Sequence, residues 1–230
     1  MRYSGKPAKF QDAATHGATS GAELLIVEGD CASGAVANVR DPQLQAVLPM
    51  QGKPLNALKA NGARVIEYPL YVQLTNALGV QPTDIESGEV SDITERRFER
   101  VLLLFDPDSF GIHSGALMLM YCYRWMRLLL AAGVVSIVRA PLYVLTVSDT
   151  DISQHAYSPE HAAKLITRLK QLGHTHINTH HPRGLASIDP AQLASSCVNP
   201  STRKTDVMTV ADAEAAIAVV ELLAKGPMDI

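Results

Sequence analysis

Three acidic residues stand where chemistry could be done. Glu28 closes a short apolar run, and Asp106 and Asp108 follow another, flanking Pro107. In extended backbone alternate side chains share a side, so Asp106 and Asp108 are aimed at one point. Hard carboxylates converging in a loop suit Mg²⁺, which takes oxygen ligands and keeps several waters. Such an ion contacts a phosphate or a leaving oxygen. The same pair reads alternatively as turn and cap residues before the next helix. Carboxylates this close repel, so without a cation one of them is expected to hold its proton more tightly.

Two other groups carry reactive side chains. Cys31 lies near an expected helix N-terminus, where a thiolate is favoured; the alternative is a quiet small residue. His174, His176, His180 and His181 crowd one window, and His174 and His176 alternate as strand neighbours do. Imidazoles so spaced open a soft-metal reading, although no Cys lies nearby.

The acids need strands to position them. Glu23–Val27 is the first, followed by a small-residue loop, Glu28–Gly34, and a helix from Ala35 toward Arg40. Strand, loop and helix in that order open a βαβ unit. Ala46–Met50 reads as a short strand closed by Pro49. Pro54 starts a short helix through Lys59, which Asn61 and Gly62 end. Pro69–Leu78 is a helix stopped by Gly79. Thr83–Arg100 is charged and reads as a surface loop or solvated helix. Val101–Phe105 is a continuous apolar run, as expected of a central parallel strand covered on both faces. A long helix over Ile112–Ala132, capped by Gly133, then leads to a strand at Val134–Val138 and an extended piece at Pro141–Leu145.

The texture changes near Asp149. Ser158 and Pro159 start a helix that ends near Gly173. Asp189 and Pro190 start a short one to Ser195, and Val210–Lys225 is a third. The expected division is an approach segment over 1–20, an α/β domain over 21–148 and a mostly helical appendage over 149–230. Ligands of an open parallel sheet sit beyond the carboxyl ends of its strands, where Glu28, Asp106 and Asp108 fall.

Composition narrows the partners. The chain has 230 residues, 47% of them hydrophobic, enough to bury a core. Its net charge of −3 excludes a globally basic nucleic-acid coat, though not a basic patch. Three scattered cysteines, Cys31, Cys122 and Cys197, form no disulfide framework and fit a reducing compartment. Met1–Phe10 has no apolar core and does not read as a signal peptide. The apolar stretch Ala116–Val135 is interrupted by Arg124 and Arg127, so it reads as a buried helix and not a membrane span.

The motifs then acquire a family. Glu28–Gly34 (EGDCASG) with Asp106–Asp108 (DPD) resembles the TOPRIM signature. Pro49–Asn56 (PMQGKPLN) resembles the PLRGKxLN run of the B subunits of DNA gyrase and topoisomerase IV. Phe105–His113 (FDPDSFGIH) resembles their TDADVDGAH. Tyr123 and Arg124 resemble FYR, and Pro141–Tyr143 resembles PPLY. Arg183–Ala186 with Asp189–Leu193 resembles KGLGEMNPEQL, and Asn199–Arg203 resembles MDPETR. The order is kept from about Gly5 to Lys225.

The resemblance implies a TOPRIM-type, Rossmann-like α/β fold with a parallel sheet flanked by helices. It implies that Glu28, Asp106 and Asp108 hold Mg²⁺, with Mn²⁺ or Ca²⁺ as substitutes, beside a scissile phosphate of DNA. Lys53 would pair with that phosphate, or else be a solvated surface lysine. His113 would orient an acid or touch DNA, or else cap or pack. Arg183 would contact the DNA backbone. The His174–His181 stretch aligns with an ordinary strand and loop of the family. The cutting tyrosine would come from an A-type subunit and ATP hydrolysis from a separate domain or subunit, so the chain alone is expected to do neither. A cytoplasmic, nucleoid-associated location without a membrane follows.

The departures form a set. Phe110 stands where the family has its third acid and Cys31 where it has Ser. Gln51 and Gly115 each replace an Arg, Ser187 replaces the Glu of KGLGE, and His181 replaces the Arg before that motif. So many lost charges motivate an alternative, a catalytically degenerate paralogue that binds DNA or protein. A freestanding metal-dependent nuclease is a third possibility.

Overall fold

Runs of consecutive apolar residues make strands buried on both faces, and two such runs form the centre of the main sheet. The computed structural model describes residues 9–148 and 150–224. Residues 1–8 of the approach segment and Lys225, the far limit of the resemblance, lie outside the described residues. Strand β1 (Glu23–Glu28) pairs in parallel with β2 (Gln45–Met50) and with β3 (Arg100–Leu104), and β3 pairs in parallel with β4 (Val135–Val138). A short strand from the tail, β8 (Thr205–Val207), joins β4 antiparallel, giving the order β2-β1-β3-β4-β8. Pro49, which lacks an N–H, sits on edge strand β2, where sheets tolerate proline.

Alternation along the strands divides the core. Leu24, Ile26, Leu48, Val101 and Leu103 face one side. There they meet Leu74 of α3 (Pro69–Leu78), Met118 and Tyr121 of α4 (Ser109–Trp125), and Leu129 of α5 (Arg127–Ala131). Leu25, Val27, Val47, Leu102 and Leu104 face the other side. Their cover is Val36 of α1 (Gly29–Ala37) and Leu185, Ile188, Leu193 and Val198 of the tail. Fully burying each such side chain contributes about 1.5–3 kcal/mol. The tail therefore supplies much of the second core. A buried ion pair fastens it: Arg203 donates to both Glu23 carboxylate oxygens, and Gln45 Nε2 donates to Glu23 at 2.8 Å and to the Val198 carbonyl at 2.9 Å.

Several element limits differ from the sequence expectation. Helix α1 begins at Gly29, not Ala35, so Glu28 leads directly into it. No helix forms over Pro54–Lys59, where Asn56 Oδ1 accepts from the Leu58 and Lys59 N–H groups instead. Asn61 starts a helix where one was expected to end, accepting from the Arg64 N–H at the head of α2 (Gly62–Glu67). Short polar side chains compete for local backbone donors in this way. The long helix starts at Ser109 and breaks at Met126. The Trp125 carbonyl accepts from the Thr83 N–H and the Ser91 hydroxyl, taking an acceptor the helix would use. The 83–100 stretch is a loop with one 3₁₀ turn, yet it buries Phe98. Arg124 holds it through Asp84 at 2.8 Å.

The extended piece after Pro141 becomes β5 (Tyr143–Val147), centre of a separate antiparallel sheet with β6 (Ser153–Ala156) and β7 (Ile177–His180). Helix α6 (Pro159–Gln171) covers it. Beyond these strands the tail is helical for the greater part, with α7 (Pro190–Leu193) running into wider turns over Ala194–Val198 and then α8 (Val210–Ala224). Among the described residues no helix is long and apolar enough to cross a membrane.

Candidate functional site

Parallel pairing puts the carboxyl ends of β1 and β3 side by side, with Val27 opposite Leu104. Glu28 ends β1 and Asp106 lies two residues past β3, so both acids rise from the carboxyl end of the sheet. They line one recess of about 350 Å3 together with Cys31, Arg183, Gly184 and Ser187. Glu28 also lines a second recess of about 340 Å3, with Gly52, Lys53, Phe110 and Ser114. The site is thus two shallow recesses that meet at Glu28, with Arg183 on one flank and Lys53 on the other.

Each acid is held differently. Asp106 Oδ1 accepts from the Leu185 backbone N–H at 2.8 Å. Asp108 caps α4: its Oδ1 accepts from the N–H groups of Phe110 at 2.9 Å and Gly111 at 2.8 Å. The Ser114 hydroxyl and the Asp106 backbone lie near enough to Glu28 to favour its charged form. Burial pushes the Glu28 carboxyl above its ordinary value, and the charges of Asp106 and Asp108 push the same way. Asp106 is raised too, by burial first and Asp108 second, against the pull of the Leu185 N–H. The three carboxylates therefore lie in one another's field.

Two glycines keep this arrangement open. A Cβ on Gly111 would stand 2.0 Å from the Asp106 carbonyl oxygen, so α4 can start this close to the acid loop only with glycine there. Gly184 has φ +156, and a Cβ on it would stand 2.9 Å from Asp106 Oδ2.

The second recess is lined by one basic side chain, Lys53. Lys53 Nζ lies 3.2 Å from His113 Nδ1 and 5.3 Å above the Phe110 ring. Phe110 is 66% exposed and offers this lysine a cation–π face. Gln51 donates to Asp30 at 2.7 Å, and Lys9 also pairs with Asp30. Gly115 leaves space beside Phe105 and lines an apolar cavity of about 520 Å3 with Asp106, Ile112, Arg139 and Tyr157.

The donor chemistry fits a hard divalent cation: carboxylate oxygens of like charge, partly buried at Glu28 and Asp106 and exposed at Asp108, mutually repelling. Among the described residues, however, no three His, Cys, Asp or Glu side chains are grouped so as to hold a metal as they stand. Asp106 and Asp108 each commit one oxygen to backbone N–H groups and leave the other outside those bonds. The histidine window forms no such group either; His180 pairs in β7 and His181 rests against the Tyr143 ring, 5.0 Å between centroids. Cys31 is exposed on the first turn of α1, at the mouth of the acid recess.

Ser114 and the Gly184–Leu185 backbone were not anticipated. Ser114 carries a faint signal, a hydroxyl on the buried face of an apolar helix. A backbone N–H has no signal in residue type.

Residues 23–139 match the model of the Toprim domain. The chain is 34% identical over 194 residues to the DNA gyrase B subunit of Archaeoglobus fulgidus, covering 84% of this chain and 29% of that one. It is 34% identical over 218 residues to the DNA gyrase B subunit of Thermotoga maritima, covering 94% and 32%. To the DNA topoisomerase 4 B subunit of Pseudomonas aeruginosa it is 30% identical over 208 residues, covering 88% and 31%. The chain spans about three tenths of the length of these curated relatives.

Proposed function

The chain belongs to the Toprim family, and from that premise we propose that it is the Mg²⁺-binding module of a type IIA topoisomerase, of the gyrase B or topoisomerase IV B kind. In this reading Glu28, Asp106 and Asp108 hold the ion, Asp108 through Oδ2, the oxygen its capping bonds do not use. The ion, when bound, stabilises negative charge on the oxygens of a DNA phosphate as a partner subunit's tyrosine cuts and rejoins the strand. Lys53 presents its ammonium to the phosphate as a point charge, steadied by His113 and the Phe110 ring. Arg183, across Glu28, takes the neighbouring backbone. Ser114 keeps Glu28 directed at the recess. The tail over 149–230 belongs to the same working unit as the Toprim part over 21–148. The place of action is the cytoplasm, at the nucleoid.

The observation that carries this reading is the placement of Glu28 and Asp106 at the carboxyl end of a parallel sheet, in one recess, between two cationic side chains. Titration of the chain with Mn²⁺, read by calorimetry and electron paramagnetic resonance, tests it. One bound ion that Asp106→Ala abolishes is the expected result; no binding, or binding indifferent to that substitution, defeats it. With a net charge of −3, binding to DNA by the chain alone is expected to be weak and salt-sensitive.

The second reading is a degenerate paralogue that keeps the fold as a DNA- or protein-binding module. Phe110 under Lys53 favours it, because the lysine's neighbour is an aromatic ring where the family has an acid. That reading predicts DNA binding unchanged by Mg²⁺ and by Asp106→Ala.

A further inference from the structure

Resting on the reading of Glu28, Asp106 and Asp108 as the ion site, we propose that Ser187 is a positioning residue, the staple that holds a tail turn against Asp106. The turn runs from Arg183 to Ser187. The Ser187 hydroxyl accepts from the Arg183 N–H at 2.9 Å and donates to the Gly184 carbonyl at 2.8 Å. The Ser187 N–H donates to that carbonyl as well, at 3.0 Å. Closed in this way, the turn points the Leu185 N–H at Asp106 Oδ1, 2.8 Å away. The Leu185 side chain, 1% exposed, anchors the turn in the core that covers one face of the sheet beside α1. Gly184 lies against the other oxygen, where no Cβ fits.

The chemistry singles out a hydroxyl. One oxygen here both accepts and donates, which Ser and Thr can do and an ionised carboxylate cannot. The Glu found at this place in the resembling family could not close the turn in the same manner. In this chain the loss of that Glu is therefore a gain of a support: the orientation of Asp106 is set by a tail residue far away in sequence. Partners that orient a metal ligand typically govern affinity by about 10–100-fold.

The test uses the full chain and four proteins: the unaltered chain, Asp106→Ala, Ser187→Ala and Ser187→Thr. Mn²⁺ affinity is measured well below each unfolding transition. Ser187→Ala is expected to bind about tenfold more weakly, and Ser187→Thr to recover the affinity. A second readout needs no metal: hydrogen exchange at the Leu185 amide speeds up in Ser187→Ala and in Asp106→Ala. A turn that served stability alone would lower the melting temperature and leave the affinity where it was. If the unaltered chain binds Mn²⁺, Asp106→Ala loses it and Ser187→Ala does not differ, the staple is refuted and the ion site stands. Equal weakening in Ser187→Ala and Ser187→Thr refutes the role of the hydroxyl. If the unaltered chain binds no Mn²⁺, the ion site falls and takes the staple with it.

Discussion

Replacing Arg203 with alanine tests whether the tail is part of the Toprim core. Arg203 and Glu23 are 3% and 2% exposed, and the guanidinium grips the carboxylate through two nitrogens. The same guanidinium donates to the Val198 carbonyl at 2.8 Å. Removing it leaves a buried carboxylate with Gln45 at 2.8 Å and a half-exposed Arg100 at 3.6 Å. Breaking a buried pair from one side costs about 3–5 kcal/mol. Gln45 and Arg100 soften the loss, so about 3 kcal/mol is expected. For a chain of this size about 2–4 °C of melting temperature accompanies each kcal/mol, which gives a fall of about 6–12 °C. Urea unfolding followed by circular dichroism, with calorimetry beside it, measures both quantities. The double variant Glu23→Leu with Arg203→Met is expected to recover most of the loss, because apolar residues can replace a buried pair at little cost. An Arg203→Ala protein within about 1 kcal/mol of the unaltered chain, the size of an exposed ion pair, would refute the reasoning.

Three further outcomes are expected. Asp108→Ala loses the cap of α4 and about 1 kcal/mol of stability, whereas Asp108→Asn keeps the cap and loses Mn²⁺ affinity alone; urea melts and metal titration on the same two proteins separate the roles. Gly111→Ala drives a methyl into the Asp106 carbonyl and costs about 1–3 kcal/mol with loss of metal binding; a fully stable, metal-binding variant would show the contact to be soft. Glu28 and Asp106 are raised in the folded state, so there they hold protons that the unfolded chain has already released. The metal-free protein therefore loses stability as pH climbs from the ordinary carboxylate range through the raised values, and protons displace Mn²⁺ as pH falls through them. Melting in EDTA across this range checks the sign, and Glu28→Gln is expected to flatten the slope.

Physical reasons separate what could be read along the chain from what could not. Val101–Leu104 and Leu24–Val27 announced buried strands because unbroken apolar runs have few other homes. Glu28 and Asp106 followed as strand-end acids. Asp108 carried two readings, and its capping bonds to Phe110 and Gly111 are one of them in place. Strand β8 was illegible, being three residues at a sheet edge with exposed side chains. The break at Met126 was equally hidden, since the Trp125 carbonyl is claimed by Thr83 and Ser91 from a different segment.

The order and type of residues by themselves determined the α/β class, the two strand ends and the kinds of atom offered there, since local pattern and composition govern these. Only the tertiary structure decided that Leu185 would hold Asp106, that Ser114 would line a recess with Glu28 and that Phe110 would lie under Lys53. Such contacts join segments distant in the chain, often through backbone groups every residue shares, and packing alone chooses among them.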